Sequence, residues 1–140
     1  MNDTCVFCRI LARELPGSLV YEDGDVVGFL DLFPVQPGHT LVVPRQHVMD
    51  LMHCPDPLAG RLLAACARVA AAVVAATGAE GFNVWTANGR VAGQTVFHLH
   101  LHVLPRFPAD RLGLQFPKGS PREAAREELE EVAERIRAAV

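Results

Sequence analysis

Aromatic side chains are scarce in this chain: Trp85 and Tyr21 are the only tryptophan and tyrosine, and aromatics make up 6% of the 140 residues. With a formal net charge of −3, that scarcity excludes a protein that coats nucleic acid, which needs a basic groove interleaved with stacking rings. It argues equally against a membrane-surface protein and leaves a small soluble ligand as the expected partner. Met1-Asn2-Asp3-Thr4-Cys5 has neither a basic start nor an apolar core, so no secretory signal is visible and cytoplasmic residence is expected. The Ala-rich run from Ala64 to Thr77 is too short to cross a bilayer and holds Arg68, so it reads as a buried helix. Repeats and low-complexity segments are missing, and the length suits one domain spanning 1–140. Acidic residues are absent between Gly81 and Ala109, which removes the carboxylates that usually complete or orient a catalytic metal site there. Four cysteines are too few and too scattered for a disulfide framework in a reducing compartment.

What is present is concentrated. Three of the six histidines fall within His98-Leu99-His100-Leu101-His102, followed by Val103, Leu104 and Pro105. Strict alternation reads as a β-strand over 96–104, with the imidazoles on one face and Leu99, Leu101 and Val103 on the other. A merely structural strand has no reason to gather three imidazoles, since each buried ring needs a hydrogen-bond partner. Two chemistries suit them: a metal site, or nucleophilic catalysis by one neutral imidazole oriented by its neighbours. Gly93-Gln94-Thr95 just upstream favours the second, because a glycine-lined backbone and two polar side chains could cradle phosphate oxygens. Cys5-Val6-Phe7-Cys8 has the spacing of a metal knuckle or a redox pair, whereas Cys54 and Cys66 are isolated, and His53 reads as an exposed loop histidine.

The remaining pattern gives an α+β fold: a five-stranded, mostly antiparallel sheet with a long helix after the third strand and a C-terminal helix. A short helix is expected over 7–13, strands over 19–22, 26–31, 40–43 and 82–87, and a turn at Asp23-Gly24-Asp25. Pro44 stops the third strand, with His39 and His47 close to its ends. Asp56 as N-cap, Pro57 behind it and Gly78 as stop frame a helix that is apolar nearly all round. Such a helix needs cover on more than one side, so part of it is expected to make a homodimer contact. Ser120-Pro121-Arg122-Glu123 reads as a capping box opening a helix over 121–139, with Leu129, Val132, Ile136 and Val140 as its apolar stripe.

Cys5-x-x-Cys8, Phe29-Leu30-Asp31, Pro37-Gly38-His39-Thr40-Leu41-Val42-Val43-Pro44, Asn88-Gly89, Gly93-Gln94-Thr95 and the histidine run occur in that order, and together they resemble the histidine triad (HIT) family, in particular its bacterial nucleotide-binding branch. The resemblance implies a HIT-like fold and a homodimeric purine nucleotide hydrolase that cleaves phosphoramidates or related adenylates and releases a nucleoside monophosphate. On the matching positions it implies His100 as the nucleophile that forms a nucleotidyl-histidine, and His102 as donor to phosphate oxygens. Gln94, Thr95 and Gly93 then lie at the phosphate and leaving group, and His39 is the fourth family histidine. Asp31 binds the ribose, a role that suits a carboxylate accepting from both hydroxyls. Phe29, Leu32 and Phe7 supply apolar surface for the base, and Asn88 reaches the phosphate or leaving group. The resemblance further implies a structural zinc on Cys5, Cys8, His47 and His98, with no organic cofactor. Nucleotide sensing without turnover, dinucleoside polyphosphate hydrolysis and nucleotidyl transfer are the alternatives within the superfamily. Some eukaryotic members carry a tryptophan near the C-terminus that shapes the partner's site, whereas the one here is Trp85, so the leaving group is the least transferable part of the resemblance.

Overall fold

The computed structural model describes residues 4–113 and 123–140. The chain divides into two compact units, Met1–Asp110 and Arg111–Val140. The first holds helix α1 (Val6–Leu11), strands β1 (Leu19–Glu22), β2 (Val26–Leu30) and β3 (Thr40–Pro44), helix α2 (Asp56–Thr77), and strands β4 (Gly81–Trp85) and β5 (Leu101–Arg106). Short 3₁₀ turns cover Leu51–His53 and Arg90–Ala92. The strands form one antiparallel sheet in the order β1-β2-β3-β5-β4, which is the expected fold class. The second unit holds helix α3 (Arg126–Ala139).

Local chemistry explains the element ends. Asp23 turns the β1–β2 hairpin by accepting from the Asp25 and Val26 amides at 2.8 and 2.7 Å, the self-bonding that makes aspartate a turn residue. Gly78 ends α2 in the left-handed conformation at φ 70°, its amide bonded to the Val74 carbonyl. The other end of α2 departs from the reading above: Pro55 is the N-cap and Asp56 the first helical residue, so no side chain caps it. Asp56 instead places its carboxylate in the first turn, where the helix dipole favours negative charge. The expected helix over 121–139 begins later, at Arg126, with Ala125 as N-cap. Glu123 lies outside it, and Ser120, Pro121 and Arg122 fall outside the described residues. Leu129, Val132 and Ile136 form an exposed stripe on α3, and Val140 is its C-cap.

The sheet separates two apolar layers. On one face, Leu62, Ala65, Cys66, Val69, Ala70 and Val73 of α2 pack against Val26, Val42, Leu99, Leu101 and Val103. Gly28 permits this approach: a Cβ there would stand 3.2 Å from the Tyr21 Cβ and 3.5 Å from Val69. With 22 residues, α2 is long and apolar enough to cross a membrane by length and composition, which corrects the shorter estimate from Ala64–Thr77. Here that apolarity faces the sheet, while Leu63, Ala64, Ala67 and Ala71 on the opposite side are exposed among the described residues. On the other face of the sheet, Phe7 of α1 joins Val27, Phe29, Leu41 and Val43, with Cys5, Ile10 and Leu11 against them. Each fully buried side chain of this kind contributes about 1.5–3 kcal/mol. The histidines lie on this second face.

The histidine strand is shorter than its alternation suggests. β5 pairs with β3 through Thr40 and Val103, Leu41 and His102, and Val42 and Leu101, and the ladder stops there. Proline has no amide to donate, so Pro44 cannot extend it toward residue 99. Its carbonyl is taken by the His98 side chain at 2.8 Å instead. His98 and His100 thus sit in the segment before β5, His98 at the end of a bend, where they keep to one face but lie outside the ladder.

Candidate functional site

Hydrogen bonds to the backbone divide the three imidazoles by lone pair, since a neutral ring carries one N–H and one bare nitrogen. His98 donates from Nε2 to the Pro44 carbonyl, so its Nδ1 is bare. That nitrogen faces sulfur: 3.5 Å from Cys5 Sγ and 3.6 Å from Cys8 Sγ. His47 completes the group with Nδ1 at 3.4 Å from Cys8 Sγ. One donor atom from each of these four residues lies within 4.8 Å of every other. Zn–S and Zn–N bonds at a tetrahedral angle separate sulfur from nitrogen by roughly 3.6 Å, so this donor set fits a closed zinc site in both chemistry and spacing. Burial raises the Cys5 thiol above its ordinary pKa and pushes His98 down to about 4, as low-polarity surroundings disfavour either charge.

His100 is arranged the opposite way. Its Nδ1 donates to the His98 carbonyl at 2.7 Å, leaving Nε2 bare. Burial lowers its pKa against the opposing pull of that carbonyl and of Asp31, so the ring is neutral and nucleophilic near pH 7. Phe7 packs edge-on against His100 at 5.1 Å, His98 at 5.9 Å and Phe29 at 5.4 Å. The peptide between residues 98 and 99 is held at its other end as well, the Leu99 amide donating to the Val48 carbonyl at 2.7 Å.

His102 lies 4.9 Å from His100, centroid to centroid, and is less buried than the other two. Its Nδ1 is 2.9 Å from Nε2 of His39, a residue 3% exposed. Trp85 lies flat on His102, with centroids 4.4 Å apart and planes within 2°, and tilts over His39 at 5.6 Å. The pairing of Trp85 with His102 across β4 and β5 makes that stack. Burial pushes His102 down to about 4 and also lowers His39, the latter against the attraction of Asp31.

The flanking residues separate into two groups. Asp31 stands at the end of β2, its Oδ1 accepting from the Phe33 amide at 2.9 Å and its Oδ2 lying 3.7 Å from His39 Nδ1. Leu32 beside it is 84% exposed, free to meet a ligand. Thr95 is exposed and lines a cleft of about 400 Å³ with Thr4, Cys5, Val6, His47 and Met49. Other expectations change. Both amide protons of Gln94 are spent on the Met49 and Val96 carbonyls at 2.7 and 3.2 Å, and its oxygen accepts from Gly89. Gln94 is therefore a buried brace of its loop, with no donor left for phosphate. Asn88 gives its side-chain oxygen to the Leu51 amide, tying that loop to the turn before α2. Gly93 ends the loop at φ 90°. Phe29 and Phe7 are 3% and 6% exposed and meet edge-on at 5.4 Å, forming the floor behind His100. His53 is half exposed and paired with Asp50 at 2.6 Å.

Sequence reasoning gave no site role to Trp85 or the loop amide of Val35, read Pro44 only as the stop of the third strand, and placed Phe7 at the base. Phe7 carried a usable signal, since its position between two spaced cysteines puts it in the first turn of whatever the knuckle closes on.

The sequence profile of the HIT domain matches residues 12–109. The crystal structure of SMU.412c from Streptococcus mutans superposes with a TM-score of 0.92 at 39% identity, covering 99% of this chain and 87% of that one. A Zn-bound histidine triad family protein from Mycobacterium smegmatis superposes at TM-score 0.76 and 36% identity over 98% of each chain. Adenylylsulfatase HINT3 of Arabidopsis thaliana is 36% identical over 112 residues, 80% of this chain and 57% of that protein. With the three imidazoles on one sheet face and the family profile covering most of the first unit, this chain belongs to the HIT family.

Proposed function

We propose that this chain is a hydrolase of purine nucleoside phosphoramidates and related adenylates, acting through a nucleotidyl group on His100 Nε2. The observation that carries this reading is the bond from His100 Nδ1 to the His98 carbonyl, which leaves Nε2 bare on a ring that burial keeps neutral, beside the His102 imidazole. The lone pair of Nε2 attacks the α-phosphorus, and the bond from phosphorus to the leaving nitrogen or oxygen breaks as that group takes up a proton. Water then attacks the same phosphorus from the opposite side, the P–N bond to His100 breaks, and a nucleoside monophosphate leaves. His102 stabilises charge on the phosphoryl oxygens, with Thr95 on the leaving-group side. Asp31 accepts from the ribose hydroxyls and Leu32 covers the base.

Cys5, Cys8, His47 and His98 would hold a zinc ion, which supplies cross-linking of the α1 start to the β3 and β5 ends and takes no part in bond breaking. The enzyme works in the cytoplasm as a homodimer, a reading supported by the bare outer side of α2 and by Phe82, Val84 and Trp85 exposed on the edge strand β4. One HIT domain, extended by α3, carries the activity.

The test is a rapid acid quench of the enzyme with an adenosine phosphoramidate, followed by peptide mass spectrometry. Adenylylated His100 is expected early in turnover, and His100→Ala is expected to bind AMP without forming it. Undiminished turnover by His100→Ala would overturn the mechanism.

A further inference from the structure

Two hydrogen bonds at the His39 nitrogens determine where its proton lies, Asp31 Oδ2 standing beyond hydrogen-bond distance at 3.7 Å from Nδ1. The Val35 amide donates to Nδ1 at 3.1 Å, so Nδ1 is an acceptor and the single ring proton of neutral His39 sits on Nε2. That nitrogen is 2.9 Å from His102 Nδ1 and donates to it. His102 Nδ1 is thereby an acceptor too, and the proton of neutral His102 sits on its Nε2. The reverse arrangement would set an N–H of His39 against the N–H of Val35, donor against donor. The loop is built to keep this order: the Asp31 amide bonds to the His39 carbonyl at 2.9 Å and the His39 amide to the Gln36 carbonyl at 3.1 Å. Both His39 main-chain groups are thus clamped inside the segment that carries Val35. Trp85 covers the two rings from one side. The donor atoms of Asp31, His39 and His102 lie close together, and in this proton order the lone pairs of His39 Nδ1 and His102 Nδ1 are taken up by hydrogen bonds.

We propose that His39 is a positioning residue that relays the direction of one main-chain hydrogen bond, from Val35, to His102 and so holds His102 as an Nε2–H donor toward the phosphoryl oxygens. This rests on the hydrolase reading above for its catalytic consequence, while the proton order itself does not. His102 is the least buried of the triad, and its Nε2 is the ring nitrogen left for a ligand. A donor is what a developing phosphoryl charge needs; the opposite tautomer would present a lone pair to an anion. His39 touches no reacting atom and acts only through His102.

Imidazole nitrogen NMR on uniformly ¹⁵N-labelled, metal-replete protein near pH 7 tests the proton order without substrate. Wild-type His102 is expected as a single tautomer protonated on Nε2. In His39→Leu, which keeps volume and removes the donor, a mixture of tautomers is expected, with kcat on an adenosine phosphoramidate reduced about 10- to 100-fold and KM nearly unchanged, as for loss of an orienting partner. His39→Gln, whose amide can both accept from Val35 and donate to His102, is expected to restore the single tautomer and most of the rate. Wild-type His102 protonated on Nδ1 would overturn the proposal whether or not the variants fold. So would a His39→Leu protein with unchanged tautomer and kcat. Absence of turnover on every adenylate with the expected wild-type tautomer would count against the hydrolase reading alone.

Discussion

Replacing Phe7 by alanine should be among the most damaging single changes in the first unit. The ring is 6% exposed and meets three other rings edge-on, at 5.1 Å, 5.4 Å and 5.9 Å. Phe→Ala in a packed core costs about 3–5 kcal/mol from lost transfer energy and residual cavity, and aromatic pairs of this geometry contribute about 0.5–1.5 kcal/mol each within that total. For a unit of about 110 residues, each kcal/mol moves the melting temperature by roughly 4 °C, so Phe7→Ala should melt about 12–20 °C lower. Phe7→Leu nearly conserves volume and should cost no more than about 1.5 kcal/mol, or roughly 6 °C. Calorimetry of zinc-supplemented protein measures both. The activities should separate as well: Ala leaves the His100 ring without a wall and lowers kcat, whereas Leu keeps most of it. A Phe7→Ala protein melting within about 4 °C of wild type would mean that this floor does not support the nucleophile, and the packing argument would fail.

Gln94→Ala should destabilise by about 1–3 kcal/mol in urea titration, because the part-buried Met49 and Val96 carbonyls and the Gly89 amide lose their partners; an unchanged midpoint would refute its role as a brace of the loop. Acid should weaken the fold through His102 and His39. Burial holds both below the ordinary 6.5, His102 at about 4, so the unfolded chain binds more protons below 6.5. Stability is then fully present above pH 6.5 and is lost as pH falls toward about 4, measurable as a falling urea midpoint over that window. Elemental analysis should find one zinc per chain, reduced well below one in Cys8→Ser, with a lower melting temperature after chelation. Asp31→Asn should raise KM at least tenfold for a ribonucleotide substrate with kcat within a few fold, and the same variant should show little effect on a substrate lacking both ribose hydroxyls.

The sheet, α2 and the gathering of histidines were legible because each rests on local periodicity or punctuation: alternation at 98–103, the glycine at 78, the Asp23 turn. What was not legible depends on register. Pro44 truncates the β5 ladder only because antiparallel pairing brings it opposite that segment, and nothing near His98 in sequence announces it. Trp85 stacks on His102 through the same kind of cross-strand pairing. Gln94 shows a different limit: polar residues beside the histidine segment look available until the carbonyls of Met49 and Val96 are seen to take both amide protons. The assignment of His47 and His98 to the cysteine cluster came from family resemblance, since Cys5-x-x-Cys8 alone fits more than one chemistry. The placement of their donor atoms around one point agrees with that set.

The peptide linking His98 to Leu99 is gripped on both edges, its oxygen by the His100 ring and its N–H by Val48, one residue from the sulfur-facing His47. A planar amide turns as one body, so a rotation that released either grip would strain the other. The orientation of the His100 ring is therefore tied to the backbone on both sides of that peptide. Side-chain replacement at position 98 would empty the thiol cluster yet leave the oxygen that orients His100, so damage to metal retention and damage to chemistry are separable at a residue that serves both.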